Sequence, residues 1–274
     1  MELLPLPLEV EEARIRVQGT ELYFLFREDP ATEAVDRPAM VFVHGNTGSC
    51  RWWDLVLNVP GHHSYALDMP NFGFSGAAED SDIGLYADYV AGFIEALELT
   101  RPILVCHSLG GAVGLELAAR NPEGYAGLVL VDSSAPSGLV TPEEHYPAIQ
   151  LFRTNKEVLG AALGAVMPGL ADPTRKQMLV DLAFGMDGDA FEGNARALAH
   201  FSVTGRLEAF AAPVLVLWGD KDAIITRAMV DETLEEFAPG IAEAIIIEGC
   251  GHSPMVEVPE QFREILGDFV ARVQ

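Results

Sequence analysis

The sequence is poor in positive charge. Its 274 residues hold 17 lysines and arginines against 41 aspartates and glutamates, a formal net charge of −24. Such a surface repels nucleic acid and anionic membranes, and no basic patch offsets it. Acid clusters such as Glu79-Asp80-Ser81-Asp82 and Asp231-Glu232-Thr233-Leu234-Glu235-Glu236 are expected on solvated loops and helix faces. The acidity implies high solubility and says nothing about a reaction. Cysteine is scarce as well. Cys50, Cys106 and Cys250 cannot all pair with one another and show no Cys-x-x-Cys or Cys/His spacing of a zinc site. Reduced thiols and a cytoplasmic location are therefore expected. Long apolar runs are missing: the best candidate, Val158–Ala171, is too short to span a bilayer and contains Pro168. Met1-Glu2-Leu3-Leu4-Pro5 lacks the basic start and apolar core of a secretory signal.

What remains is ordinary globular material, 49% hydrophobic and 21% charged, enough for one large domain or one domain with an insertion. Two opening strands are expected over Arg14–Val17 and Glu21–Phe26, as an antiparallel pair. Buried strands follow at Ala39–Val43, Ser64–Leu67, Ile103–Val105, Leu128–Val131, Val214–Leu217 and Ala244–Ile247. Their continuous apolar character fits a mostly parallel sheet covered on both faces. Helices are expected near Trp52–Leu57, Leu85–Leu97, Gly110–Arg120, Arg227–Phe237 and Glu260–Val273. The alternation indicates an α/β fold with about eight strands. Residues 27–38 read as an exposed connection. From Ala135 to Ala211 no good strand occurs, only helical stretches punctuated by prolines and glycines. That is too long for a structureless loop, so a helical cap (135–211) is expected over the core formed by 1–134 and 212–274.

One glycine is missing where it would be informative. Cys106-His107-Ser108-Leu109-Gly110 lies at a strand-to-helix junction and resembles Gly-x-Ser-x-Gly, with Cys106 in place of the first glycine. A serine hydroxyl is a weak nucleophile until a base takes its proton, and a sharp turn exposes it only if its neighbours are small. Gly110 and Gly111 meet that demand, and Cys106 is small enough to be accommodated. His252, in the glycine-flanked loop after the last strand, reaches the same sheet edge as Ser108. His62, His63, His145 and His200 read as surface or satisfied core residues. The acid that orients the histidine is assigned to Asp222, in Trp218-Gly219-Asp220-Lys221-Asp222, with Asp220 as a turn residue and Asp132 as a second rival. His44-Gly45-Asn46 follows the first central strand, and the backbone N–H groups of Asn46 and Leu109 are the candidate oxyanion donors.

Taken jointly, His44-Gly45-Asn46, Asp68-Met69-Pro70-Asn71-Phe72-Gly73-Phe74-Ser75-Gly76, the Ser108 elbow, Trp218–Asp222 and Gly251-His252 resemble the α/β-hydrolase superfamily, in its capped branch, over nearly the whole chain. The order Ser, Asp, His is that of the family. The resemblance implies a serine hydrolase. Dehalogenases and epoxide hydrolases of this branch carry an aspartate where Ser108 stands, so those activities are not expected. Asn46 resembles the asparagine that steadies a halide in some dehalogenases, but beside a serine nucleophile it reads as an oxyanion-hole residue. Asp132 occupies the place from which some relatives take their acid. Trp52 and Trp53 read as helix-packing residues, with a place for one of them at the pocket mouth as the alternative. Phe152, Leu163, Met167, Met178, Phe184 and Met186 are candidates for an apolar site in the cap, with core packing as the plainer role.

The expected activity is hydrolysis of small to medium, mostly apolar carboxylic esters, lactones included, with no metal or organic cofactor and a small-molecule ester as the partner. Two alternatives stand beside it. One is cleavage of a C–C bond in a vinylogous diketone, which requires a basic pocket that Arg153, Lys156, Arg175, Lys176 and Arg196 support poorly. The other is a ligand-binding receptor with little turnover. The oligomeric state is left open, a homodimer included.

Overall fold

The computed structural model describes residues 3–29 and 37–273. Most of the connection expected over residues 27–38 therefore lies outside the described residues. Eight strands form one sheet: β1 (Glu11–Val17), β2 (Thr20–Arg27), β3 (Met40–Val43), β4 (Ser64–Leu67), β5 (Ile103–His107), β6 (Gly127–Val131), β7 (Val214–Gly219) and β8 (Ala242–Ile247). Their order is β1-β2-β4-β3-β5-β6-β7-β8. β1 and β2 pair antiparallel, as do β2 and β4, and all later pairings are parallel. The β1–β2 hairpin closes through Gln18-Gly19, both at positive φ (50° and 86°), the twist a two-residue hairpin requires. β3, β5 and β6 are buried along their whole length, which is why their sequences are apolar without alternation. At the far edge β8 is mostly open to solvent, with Ile246 exposed and only Ile247 buried.

Helices α1 (Ile83–Ala96) and α2 (Leu109–Arg120) follow β4 and β5. Asp82 caps α1 by accepting from Leu85 N–H. Between β6 and β7 the chain forms α3 (Tyr146–Phe152), α4 (Lys156–Val166), α5 (Pro173–Phe184) and α6 (Ala190–His200). Asn155 and Asp172 cap α4 and α5. The chain closes with α7 (Arg227–Glu235), a single turn α8 (Pro254–Glu257) and α9 (Pro259–Val270). No helix among the described residues is long and apolar enough to cross a membrane.

The helix expected near Trp52–Leu57 is instead one 3-10 turn over Cys50–Trp52. Its hydrogen bonds span three residues, from Trp52 N–H to Ser49 and from Trp53 N–H to Cys50. Cys50, Arg51, Trp52, Trp53 and Asp54 are all buried, which leaves no solvent face for an amphipathic helix. Asp54 accepts from Arg51 Nε at 3.0 Å and from Arg175 Nη1 of α5 at 2.8 Å. This buried pair of arginines on one carboxylate ties the inserted helices to the core. Removing Asp54 would strand two guanidinium charges inside the protein.

Candidate active site

β5 ends at His107, and Ser108 takes φ 53° and ψ −113° before α2 begins. A non-glycine residue in that region costs on the order of 1–3 kcal/mol and persists only where its surroundings enforce it. Here Ser108 N–H donates to Val131 O at 3.0 Å and Gly111 N–H donates to Ser108 O at 2.9 Å. A Cβ at Gly110 would stand 2.5 Å from the carbonyl oxygens of Val43 and His44, so the turn admits only glycine two residues after the serine. Cys106 is the departure from the pattern. Its thiol is fully buried and faces Gly114 of α2, so the space that the extra side chain needs is released one turn along the helix. Burial pushes the Cys106 thiol far up, and it stays protonated.

Ser108 Oγ lies 3.0 Å from His252 Nε2, and His252 Nδ1 lies 2.7 Å from Asp222 Oδ2. The Nδ1–H therefore donates to the carboxylate, and Nε2 is left to accept from the serine hydroxyl. Asp222 Oδ1 also accepts from Ile224 N–H at 2.7 Å and Ile225 N–H at 3.1 Å. Burial by itself would raise the Asp222 carboxyl, but the hydrogen bonds from His252 and Ile224 outweigh it and hold the group below the usual carboxylate range. Of the rivals, Asp220 accepts from Gly249 N–H and pairs with Lys221, as a turn residue does. Asp132 accepts from Gly219 N–H at 2.9 Å, beside the acid rather than against the imidazole Nδ1.

The backbone at Gly45 runs against the serine: a Cβ there would lie 2.8 Å from Ser108 Cβ. Neither Asn46 N–H nor Leu109 N–H has a hydrogen-bond partner among the described residues. His44 holds this loop in place, with Nδ1–H donating to Gly45 O at 2.8 Å and Nε2 accepting from Met69 N–H at 3.0 Å. Burial holds the His44 imidazole down, to about 4, so it remains neutral and able to accept. Asp68 receives Cys50 N–H at 2.6 Å and Phe74 N–H at 2.8 Å, and burial raises it to about 6. Asn46 Oδ1 accepts from Thr47 N–H at 3.0 Å and from Asn194 Nδ2 of α6 at 2.9 Å. Asn194 Oδ1 in turn accepts from Tyr86 OH at 2.8 Å.

Three residues escape a reading of the sequence. His107 Nε2–H donates to the His252 carbonyl at 2.7 Å, while its ring lies on Trp52 at 5.8 Å and beside His252 at 4.8 Å. Burial, and then the nearby His252, hold His107 well below the ordinary imidazole range. Glu257 gathers three backbone donors, Gly169 at 2.7 Å, Gly251 at 3.1 Å and Ser253 at 3.0 Å. Two of these flank His252 and the third lies after α4, whose Val166 O accepts from His252 N–H at 2.9 Å. Asn194 sits in the insertion, where nothing in the sequence marks it. Trp52 and Trp53 pack against His107 and are buried. Among the proposed apolar residues, Met178 packs into the core and its sulfur accepts from Leu4 N–H.

Ser108 and His252 retain only 8% and 5% of their exposure, so the site is nearly closed. The group of side chains among the described residues whose ligand atoms could meet at an ion, Asp132 with Asp222 and His252, shares two members with the Ser108–His252–Asp222 chain of hydrogen bonds. The Nδ1–H that donates to Asp222 leaves that nitrogen no lone pair for an ion.

A mostly parallel sheet with a strained serine at the β5–α2 turn, facing an imidazole and a carboxylate from later loops, is the architecture of a hydrolase. Residues 40–265 match the profile of the Alpha/beta hydrolase family, and the chain belongs to that family. It is 30% identical over 223 residues to a pimeloyl-[acyl-carrier protein] methyl ester esterase of Neisseria meningitidis, covering 76% of this chain and 68% of that protein. It is 26% identical over 260 residues to the 2-hydroxymuconate semialdehyde hydrolase of Pseudomonas sp. strain CF600, covering 85% and 86%. It also matches the dihydrolipoyllysine-residue acetyltransferase component of the acetoin cleaving system of Pseudomonas putida at 28% identity, with 85% of this chain spanning 63% of that protein. In overall shape it is similar to the enol-lactonase from Burkholderia xenovorans LB400, with a TM-score of 0.84 at 20% identity over 95% of this chain and all of the other.

Proposed function

We propose that the protein hydrolyses small to medium, mostly apolar carboxylic esters or lactones through an acyl-enzyme on Ser108. The observation that carries this reading is the continuous relay from Ser108 Oγ to His252 (3.0 Å) to Asp222 (2.7 Å), beside two unpartnered N–H groups. His252 Nε2 takes the hydroxyl proton as Oγ attacks the carbonyl carbon. The oxyanion rests on Asn46 N–H and Leu109 N–H, which have no other partner among the described residues, each worth about 3 kcal/mol to the transition state. His252 then protonates the leaving alcohol, and water attacks the acyl-enzyme by the same route. Asp222 fixes the tautomer and offsets the imidazolium charge. The route requires no metal or organic cofactor. The four helices between β6 and β7 serve as the cap, in keeping with the near-complete burial of the serine.

The C–C hydrolase reading needs free cations for substrate carboxylates. Arg153 is paired with Asp189, Lys156 with Asp181, Arg175 with Asp54 and Arg196 with Glu192, so four of the five cations are already neutralised. This favours a neutral ester.

A chain-length panel of p-nitrophenyl esters and lactones, with fluorophosphonate labelling mapped by mass spectrometry, tests the mechanism. Ser108→Ala should lower kcat by about 10⁴-fold or more. Labelling at another residue, or full activity in Ser108→Ala, would overturn it. Cleavage of a ring-fission product with negligible esterase activity would favour the C–C reading, and an inert wild type would favour the receptor.

A further inference from the structure

Asp132 follows β6 in the left-handed region, at φ 41°, and is 1% exposed. Its N–H donates to Leu217 O at 2.9 Å, and its Oδ1 accepts from Gly219 N–H at 2.9 Å. Both bonds pin it to the end of β7, three residues before Asp222. Its Oδ2 is buried and receives no N–H or O–H from any described residue. One oxygen of Asp132, one of Asp222 and one ring nitrogen of His252 lie within 4.8 Å of one another. Two buried carboxyl groups this close do not both ionise, because burial and the charge of the first both penalise the second.

The hydrogen bonds decide which of them holds the proton. Asp222 accepts from His252, Ile224 and Ile225, all of which stabilise its charge. Asp132 has a single N–H donor, Gly219, on Oδ1 and none on Oδ2. The surroundings offer it little else. Cys250, a buried thiol raised by burial, stands on the β8–α8 loop, and Glu257, at the end of α8, carries a carboxylate that opposes a further negative charge. His107, at the end of β5, is held neutral. Among the described residues nearby, His252 is the group whose positive charge could compensate, and it is engaged with Asp222. Burial, and then the Asp222 charge, accordingly push the Asp132 carboxyl well up.

We propose that Asp132 is a positioning residue for the triad: it keeps a proton on Oδ2 and donates it to the Asp222 carboxylate, so that the pair presents a single negative charge, correctly aimed, to His252. The inference rests on the triad reading above. With both groups ionised, two negative charges would stand together in a buried site beside the imidazole. Without the Asp132 hydroxyl, the Asp222 carboxylate would lose one of the contacts that fix its orientation. The proton stays on Asp132 through the cycle, and only His252 exchanges protons with substrate.

The test compares wild type, Asp132→Ala, Asp132→Asn and Ser108→Ala on p-nitrophenyl butyrate, with an infrared difference spectrum of wild type against Asp132→Asn at pH 7. An asparagine reproduces the protonated acid, its oxygen accepting from Gly219 and its amide donating to Asp222. The difference spectrum should contain the C=O band of a protonated carboxyl group. Asp132→Ala should lose about tenfold in kcat with KM within about twofold. Asp132→Asn should recover most of that loss, with the acid limb of its kcat/KM profile at the wild-type pH. Absence of the carboxyl band overturns the proposal, as does an acid limb displaced by about one pH unit in Asp132→Asn, or a wild-type kcat in Asp132→Ala. The infrared band is read without turnover, and it decides the matter if Asp132→Ala fails to fold. Retained activity in Ser108→Ala would instead sink the triad reading, whatever Asp132 does.

Discussion

The substitution of cysteine for glycine at the elbow should be energetically coupled to Gly114. A Cβ at Gly114 would stand 2.7 Å from Cys106 Sγ, 3.1 Å from Cys106 Cβ and 3.3 Å from Leu128 Cδ1. Comfortable non-bonded contacts lie at about 3.5–4.0 Å, so the sulfur contact is short by roughly 1 Å. Cys106 cannot retreat, because its strand is paired on both sides, with Val43 of β3 and Leu130 of β6. Gly114→Ala in the natural background should therefore cost about 1–3 kcal/mol of overpacking, partly offset by the roughly 0.5–1 kcal/mol that alanine gains over glycine inside a helix. With Cys106→Gly already made, the obstacle is gone and the new methyl enters the vacated space, so the same change should be neutral or stabilising. The coupling between the two sites should come to about 1–3 kcal/mol. Urea unfolding of the four proteins, followed by tryptophan fluorescence, closes the cycle. Additivity to within about 0.5 kcal/mol would refute the compensation argument. Ester hydrolysis should survive Cys106→Gly, since the thiol faces α2 rather than the serine hydroxyl.

Glu257→Gln replaces an acceptor of three backbone N–H groups by an amide that must turn its NH₂ toward at least one of them. The loosened histidine loop should lower kcat about tenfold with KM within about twofold, and an unchanged kcat would refute the clamp. His44 titrates at about 4 in the folded protein against 6.5 ordinarily. Its contribution is complete above pH 6.5 and is lost as the pH falls toward 4, because only the unfolded chain takes up the proton in that window. The loss is at most about 3 kcal/mol. Asp68, raised to about 6, acts with the opposite sign but is common to wild type and His44→Asn. The difference in melting temperature between the two should thus shrink as the pH falls from 7.5 to 4, and a constant difference would refute the assignment.

Much of this was legible because it is local. Continuous apolar runs such as Met40–Val43 and Gly127–Val131 state their own burial, and the switch to helical spacing after Ser108 marks the strand-to-helix turn. The glycine at 110 is demanded by the approaching backbone of Val43 and His44, and the one at 111 by the Ser133 side chain, constraints that leave their trace in residue type. The helix expected around Trp52–Leu57 failed because its apolar residues serve two indoles and a buried ion pair, and periodicity does not register that difference.

By itself, then, the sequence determined the eight-strand α/β layout, the helical character of the stretch between β6 and β7 and the serine, histidine and aspartate candidates, each through a short stretch whose spacing and residue size encode its backbone. Only the tertiary structure decided the contacts between stretches far apart in the chain. It set His107 under the His252 carbonyl, Asn194 on Asn46, Glu257 across the histidine loop and Asp132 beside Asp222. It also placed Gly114 opposite Cys106. The physical reason is that a hydrogen bond or a shared volume depends on distance in space, and no residue carries in its own identity the name of a partner that folding brings to it.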